Sequence, residues 1–136
     1  FRVYRKHSTV TGSHVTSRLQ IVHVPTRKTR TIWHLQFTDW ADHGCPEDTQ
    51  GFICFLEELS TLRRYSFNEV RGVGRNRNTP VMVHCSAGVG RSGVTILCDL
   101  LLEAADHNLP LNPPKKVQLI RWFLPLWFLH VPLVAK

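Results

Sequence analysis

The densest chemistry in this 136-residue chain lies in Val83-His84-Cys85-Ser86-Ala87-Gly88-Val89-Gly90-Arg91-Ser92-Gly93. Cys85 and Arg91 stand six positions apart, with small residues between them. Gly88 and Gly90 lack a Cβ, so the backbone can curl there and turn several N–H groups inward. A concave run of amides is an anion nest, and the positive end of a following helix reinforces it. Arg91 adds a planar fork that grips two phosphate oxygens at once. Cys85 at the base of such a cup sits in positive potential, which favours the thiolate and lowers the thiol pKa. A thiolate beneath a held phosphate is placed for in-line attack at phosphorus, giving a covalent thiophosphate.

Such a loop needs a strand before it and a helix after it. Val81, Met82 and Val83 form a short apolar run of the kind found in a fully buried strand. Val94, Leu97, Leu100, Leu101 and Ala104 mark a helix on the other side. Upstream, Val15 to Val24 reads as a strand. So does Thr31 to Phe37, where Thr31, Trp33, Leu35 and Phe37 alternate with Ile32, His34 and Gln36. Asp39 to Asp48 is a loop marked by Gly44 and Pro46. Phe52, Phe55, Leu56, Leu59 and Leu62 then recur at helical spacing, with Glu57, Glu58, Arg63 and Arg64 on the other positions and Asp48 as N-cap. Asn68 to Thr79 is a polar loop carrying Arg71, Arg75 and Arg77. Asn112-Pro113-Pro114 opens a last helix with Val117, Ile120 and Leu124 on its buried face, until Pro125 interrupts it. Strands alternating with helices predict an α/β layered fold, and the loop between a buried strand and a helix is where such folds bind anions.

The stretch His84-Cys85-x-x-Gly88-x-x-Arg91-Ser92 resembles the H-C-x-x-G-x-x-R-S/T signature of the cysteine-dependent protein tyrosine phosphatases, with every fixed position matched. The resemblance implies a twisted mixed sheet flanked by helices, with a strand–phosphate loop–helix core. It implies hydrolysis of phosphotyrosine through a cysteinyl-phosphate. Cys85 is then the nucleophile. Ser86, Ala87, Gly88, Val89, Gly90 and Arg91 cradle the phosphate. His84 tunes the nucleophile, and Ser92 stabilises the departing thiolate. Trp40-Ala41-Asp42 resembles the family's mobile acid loop, usually W-P-D. Asp42 would protonate the leaving tyrosyl oxygen and then act as base for water, with Trp40 as loop hinge. Residues 33–40 and 42–48 look most like the non-receptor members that carry an amino-terminal FERM domain. The resemblance implies phosphotyrosine proteins as partners and cytoskeletal association, while free, reducible thiols and no signal segment point to the cytoplasm. No cofactor and no metal are expected.

Three departures stand out. Ala41 replaces the family's Pro, which would stiffen the loop, so a modest rate loss is expected. Nothing in residues 1–30 resembles the family's upstream Tyr loop that stacks on the phosphotyrosine ring. Asn112 to Arg121 resembles the entry to the region that carries the water-positioning Gln, and from Trp122 the resemblance stops; Gln118 is not assigned that role. Residues 1–121 therefore read as the C-terminal half of a catalytic domain, and 122–136 as a divergent apolar tail. The alternative is a catalytically impaired fragment or pseudophosphatase that only binds phosphotyrosine.

Composition narrows the remaining classes. At 43% hydrophobic and 20% charged the chain does not read as disordered, and its length suits one domain. It starts with Phe and reads as a fragment or processed product. Cys45, Cys54, Cys85 and Cys98 are too few and scattered for a disulfide framework. His43, Cys45 and Cys54 lack metal-ligand spacing. The net charge of +7 favours acidic partners, but Arg27, Lys28, Arg30, Arg71, Arg75 and Arg77 lack the stacking platform of a nucleic-acid site, so none is expected. Trp122 to Ala135 is too short and too rich in Pro to span a bilayer.

Overall fold

The computed structural model describes residues 1–41, 44–69, 80–88 and 90–118. They divide into two compact units, Phe1–Pro80 and Val81–Lys136.

The first unit is a three-stranded antiparallel sheet, β1 (Arg2–Val10), β2 (His14–His23) and β3 (Lys28–Phe37), in that order, followed by helix α1 (Thr49–Glu69). The alternation that predicts the second and third strands is answered by pairing from His14↔Phe37 to His23↔Lys28. Their link is a tight turn in which the His23 ring and the Thr26 hydroxyl lie 2.6 Å apart and Arg27 takes φ 53°. β1 is an addition to the expected elements. It is exposed along its whole length and breaks register between Arg5 and His7, so no regular alternation marks it.

Helix α1 begins where Asp48 predicts. The Asp48 carboxylate accepts the Gly51 N–H at 2.9 Å, and its carbonyl accepts the Phe52 N–H at 3.0 Å. Gly51 suits this cap, because a Cβ would overlap the Asp48 carboxylate and the Ser13 hydroxyl and force both side chains to shift. Phe52, Phe55 and Leu56 are buried, as their spacing demands. They meet Phe37 at the end of β3, with ring centroids 5.4 Å from Phe52 and 5.5 Å from Phe55. Glu58 departs from its expected place among the solvent-facing positions. It accepts from the Thr16 hydroxyl at 2.6 Å and contacts buried His14 at 2.7 Å, because position 58 flanks the apolar stripe rather than opposing it.

In the second unit helix α2 (Gly90–Asp106) follows the glycine loop. It starts at Gly90, inside the stretch expected to remain turn. Its buried positions are Ser92, Thr95 and Ala104, whereas Val94 and Leu100 of the expected inner face are exposed. Asn108 at φ 52° closes it, with the Leu109 N–H donating to Ala104 O at 2.8 Å. Residues 113–118 are helical, and the Asn112 side chain accepts the Lys115 N–H at 3.2 Å, the cap expected at that point.

The α/β class holds. Two finer expectations do not. Among the described residues the sheet is antiparallel rather than mixed, and Val81–Val83 joins no sheet. Met82 is 75% exposed. Three apolar residues carry strand propensity but no register, and a buried strand exists only where neighbours cover both faces. The loop 70–79, the tail 122–136, and Ile120 and Leu124 lie outside the described residues.

Candidate active site

Two segments carry the expected site residues, one in each unit, and each has its own geometry. In the second unit the chain curls after Cys85 so that the Gly88 N–H donates to Cys85 Sγ at 3.2 Å. Gly88 makes this possible with φ 74°, a left-handed conformation that a side chain would strain. The curl places Ser86, Ala87 and Gly88 between the thiol and the first turn of α2, whose unsatisfied amides carry partial positive charge. Val89 lies outside the described residues.

The thiol acidity follows from these neighbours. Partial burial pushes the Cys85 thiol up. The Ser92 hydroxyl, the amides of Ser92 and Gly88, and the charge of Arg91 outweigh that and hold it below the ordinary cysteine value. Ser92 is 2% exposed, so its hydroxyl acts on the sulfur in a place screened from water. The arrangement assembles what favours a nucleophilic sulfur: a thiol made more acidic than usual, amide donors and a nearby guanidinium. Cys98, eight residues into α2, is the contrast, because burial alone raises its pKa. His84 immediately precedes Cys85 and is exposed.

In the first unit the stretch expected to be the acid loop joins the end of β3 to the start of α1. Trp40 closes its near side. The indole N–H donates to Gly44 O at 2.8 Å, and the ring packs edge-on against Phe52 at 5.2 Å and Phe37 at 6.4 Å. The core packing expected of Trp40 is thus observed: the ring is anchored in the aromatic cluster, and its N–H reaches the Gly44 carbonyl. Asp42 and His43 lie outside the described residues. Thr38 ties the strand end to the β1–β2 turn, its N–H and hydroxyl both donating to Ser13 O, at 2.8 and 3.0 Å.

The site's support includes residues that sequence reasoning passes over. His14, Thr16 and Glu58 fasten β2 to α1, the helix on which the acid loop ends. Burial pushes the Glu58 carboxyl up, but the Thr16 and His14 hydrogen bonds and the His14 charge bring it below its ordinary value. Among the described residues no group of His, Cys, Asp or Glu is placed to hold a metal ion. No described helix is long and apolar enough to cross a membrane.

Comparison with known families decides what this loop belongs to. The protein-tyrosine phosphatase family profile matches residues 1–123. The chain belongs to the protein-tyrosine phosphatase family. Human tyrosine-protein phosphatase non-receptor type 14 is 45% identical over 121 residues, covering 89% of this chain and 10% of that protein. Rat non-receptor type 21 is 42% identical over the same span and the same shares. The Lar-like tyrosine phosphatase of Caenorhabditis elegans is 40% identical over 93 residues, covering 68% of this chain and 4% of its own length. The chain therefore spans about a tenth of the length of non-receptor types 14 and 21, and its similarity to them runs through both Trp40-Ala41-Asp42 and the Cys85–Arg91 stretch.

Proposed function

We propose that the chain hydrolyses phosphotyrosine esters through a cysteinyl-phosphate intermediate. The Cys85 thiolate attacks phosphorus, forming the P–S bond while the P–O bond to the tyrosyl oxygen breaks. Asp42 gives its proton to that oxygen as it leaves. Water then attacks phosphorus, the Asp42 carboxylate takes its proton, and the thiolate departs toward the Ser92 hydroxyl. Arg91 and the loop amides from Ser86 to Gly90 hold the equatorial oxygens, where charge accumulates in both transition states. The observation that carries this reading is the Cys85 thiol, made acidic by the Gly88 amide, Ser92 and Arg91. The reading also places the chain with the non-receptor phosphatases, acting on phosphotyrosine proteins in a cytoplasmic, cytoskeleton-associated setting.

A second reading, a phosphotyrosine-binding module with impaired turnover, has Ala41 in its favour. One experiment separates the two: turnover of a small aryl phosphate by the purified chain, set beside Cys85→Ser. The enzyme reading expects turnover that the substitution abolishes while phosphate-ester binding persists. Binding without turnover in both proteins makes the chain a binding module. Loss of binding in the variant means that the loop is not preorganised.

A further inference from the structure

The chain's whole excess of positive charge lies in its first 38 residues. Residues 1–38 hold Arg2, Arg5, Lys6, Arg18, Arg27, Lys28 and Arg30 and no Asp or Glu. All ten acids lie from Asp39 onward, where they balance the remaining ten Lys and Arg. Strands β1 to β3 are thus a cationic sheet, and the charge is unevenly placed on it. Helix α1 engages one half through His14, Thr16, Trp33 and Phe37. Five cations, Arg2, Arg5, Arg27, Lys28 and Arg30, gather in the other half around the β2–β3 turn.

Register gives this half its texture. Directly paired residues share a face. The face of β2 opposite His14 and Thr16 carries Leu19, Ile21 and His23. Across from them stand Arg5 and Ile32, Val3 and Arg30, and Lys28. Val3 is 58% exposed, Ile32 43%, and Val24 in the turn itself 46%. Beside Val24 and Pro25, Arg27 sits at φ 53°, where Gly or Asn would be the cheaper residue.

We propose that this half of the sheet docks on an anionic phospholipid surface, the β2–β3 turn foremost. Cations mixed with exposed aliphatic side chains suit the boundary between headgroups and acyl chains, where charge and burial act together. A single-stranded nucleic acid would call for a row of stacking aromatics; the exposed aromatics among these cations are Phe1, whose ring lies against His23, and Tyr4, on the opposite face under Lys6, and they form no row. An acidic peptide would call for cations aligned along one groove. These project from both faces and from the turn.

The test is co-sedimentation of the 136-residue chain with vesicles of phosphatidylcholine alone and of phosphatidylcholine with phosphatidylserine. The chain should bind the second and not the first, less tightly as salt rises. Arg27→Ala, Lys28→Ala and Arg30→Ala combined should weaken binding on the order of a hundredfold, about fivefold per cation. Arg27→Gly, which relieves the backbone as well as removing a charge, should weaken it about fivefold without loss of thermal stability. Aryl phosphate turnover should be unchanged in both variants. Equal binding to neutral vesicles, or binding insensitive to either variant, would assign any membrane affinity to other parts of the chain and overturn the proposal. So would binding of polyglutamate or an oligonucleotide with no binding to the anionic vesicles.

Discussion

Cys85 and Cys98 lie thirteen residues apart and are driven to opposite acidities. Burial disfavours the thiolate in both. Only Cys85 has donors to overcome it: the Gly88 and Ser92 amides, the Ser92 hydroxyl and the Arg91 charge. Because the thiolate is the species that reacts, the two should separate in a pH series of iodoacetamide labelling read by mass spectrometry. Cys85 should label with a midpoint below the ~8.5 of a free thiol, and Cys98 above it. Ser92→Ala removes one of the donors, so the Cys85 midpoint should climb toward the free value. First labelling at Cys98, or no response to Ser92→Ala, would refute this account of the acidity. The same ordering applies to peroxide, with Cys85 the first thiol to reach the sulfenic acid.

At the scale of elements, the proposed acid loop is a short span between two fixed ends. Trp40 is held by Phe37, Phe52 and Gly44 O, and Asp48 caps α1. Ala41 lies directly after the anchored ring. A proline there would fix φ at its own position and hold residue 40 extended, lowering the entropy of the open loop. Ala41→Pro should raise kcat for an aryl phosphate by about two- to fivefold, the kinetic equivalent of 0.4–1 kcal/mol. A lower kcat would mean that the flexible residue is the better fit. The far end of the loop depends on how α1 is tied to β2. Glu58→Ala removes both ties and leaves the buried His14 ring unsatisfied, so it should cost about 1–3 kcal/mol in urea unfolding. Folding holds the Glu58 carboxyl below its ordinary value. Its ionised form therefore adds stability above that value, and this stability is lost as pH falls through the folded pKa. Glu58→Gln should flatten the acid limb of the stability profile.

The same elements show what a single sequence can carry. Helix α1 is legible because its cap and its apolar stripe are local: Asp48 sits three residues before Gly51, and Phe52, Phe55 and Leu56 fall on one face. The phosphate loop is legible for the same reason, since Cys85, Gly88 and Ser92 lie within two turns of chain. β1 is not, because a strand exposed on both faces has no alternation to display. Nor is the His14–Glu58 contact, which joins residues 44 apart whose types fit a solvent face equally well. Val81–Val83 misleads in the other direction: its apolar side chains suit a central strand, yet strand neighbours are a tertiary fact that three residues cannot specify.

Over the whole molecule, the phosphate cup and the recognition of tyrosine are separable. The proposed cup is a local structure, and its thiol is held below the ordinary cysteine value by groups within the second unit. The family resemblance implies a ring-stacking tyrosine and a water-positioning glutamine, and no stretch of these 136 residues matches either. Binding energy from parts of a substrate remote from phosphorus speeds reaction only when the protein supplies the contacts. The chain should therefore treat a phosphotyrosine peptide and a small aryl phosphate almost alike, with kcat/KM values within about tenfold, the equivalent of one lost contact of 1.4 kcal/mol. Steady-state kinetics on both substrates, with Cys85→Ser as the blank, measures the ratio. A peptide preference of a hundredfold or more would show that these residues build a tyrosine cleft of their own, and would turn attention to Tyr4 and Tyr65, its two tyrosines.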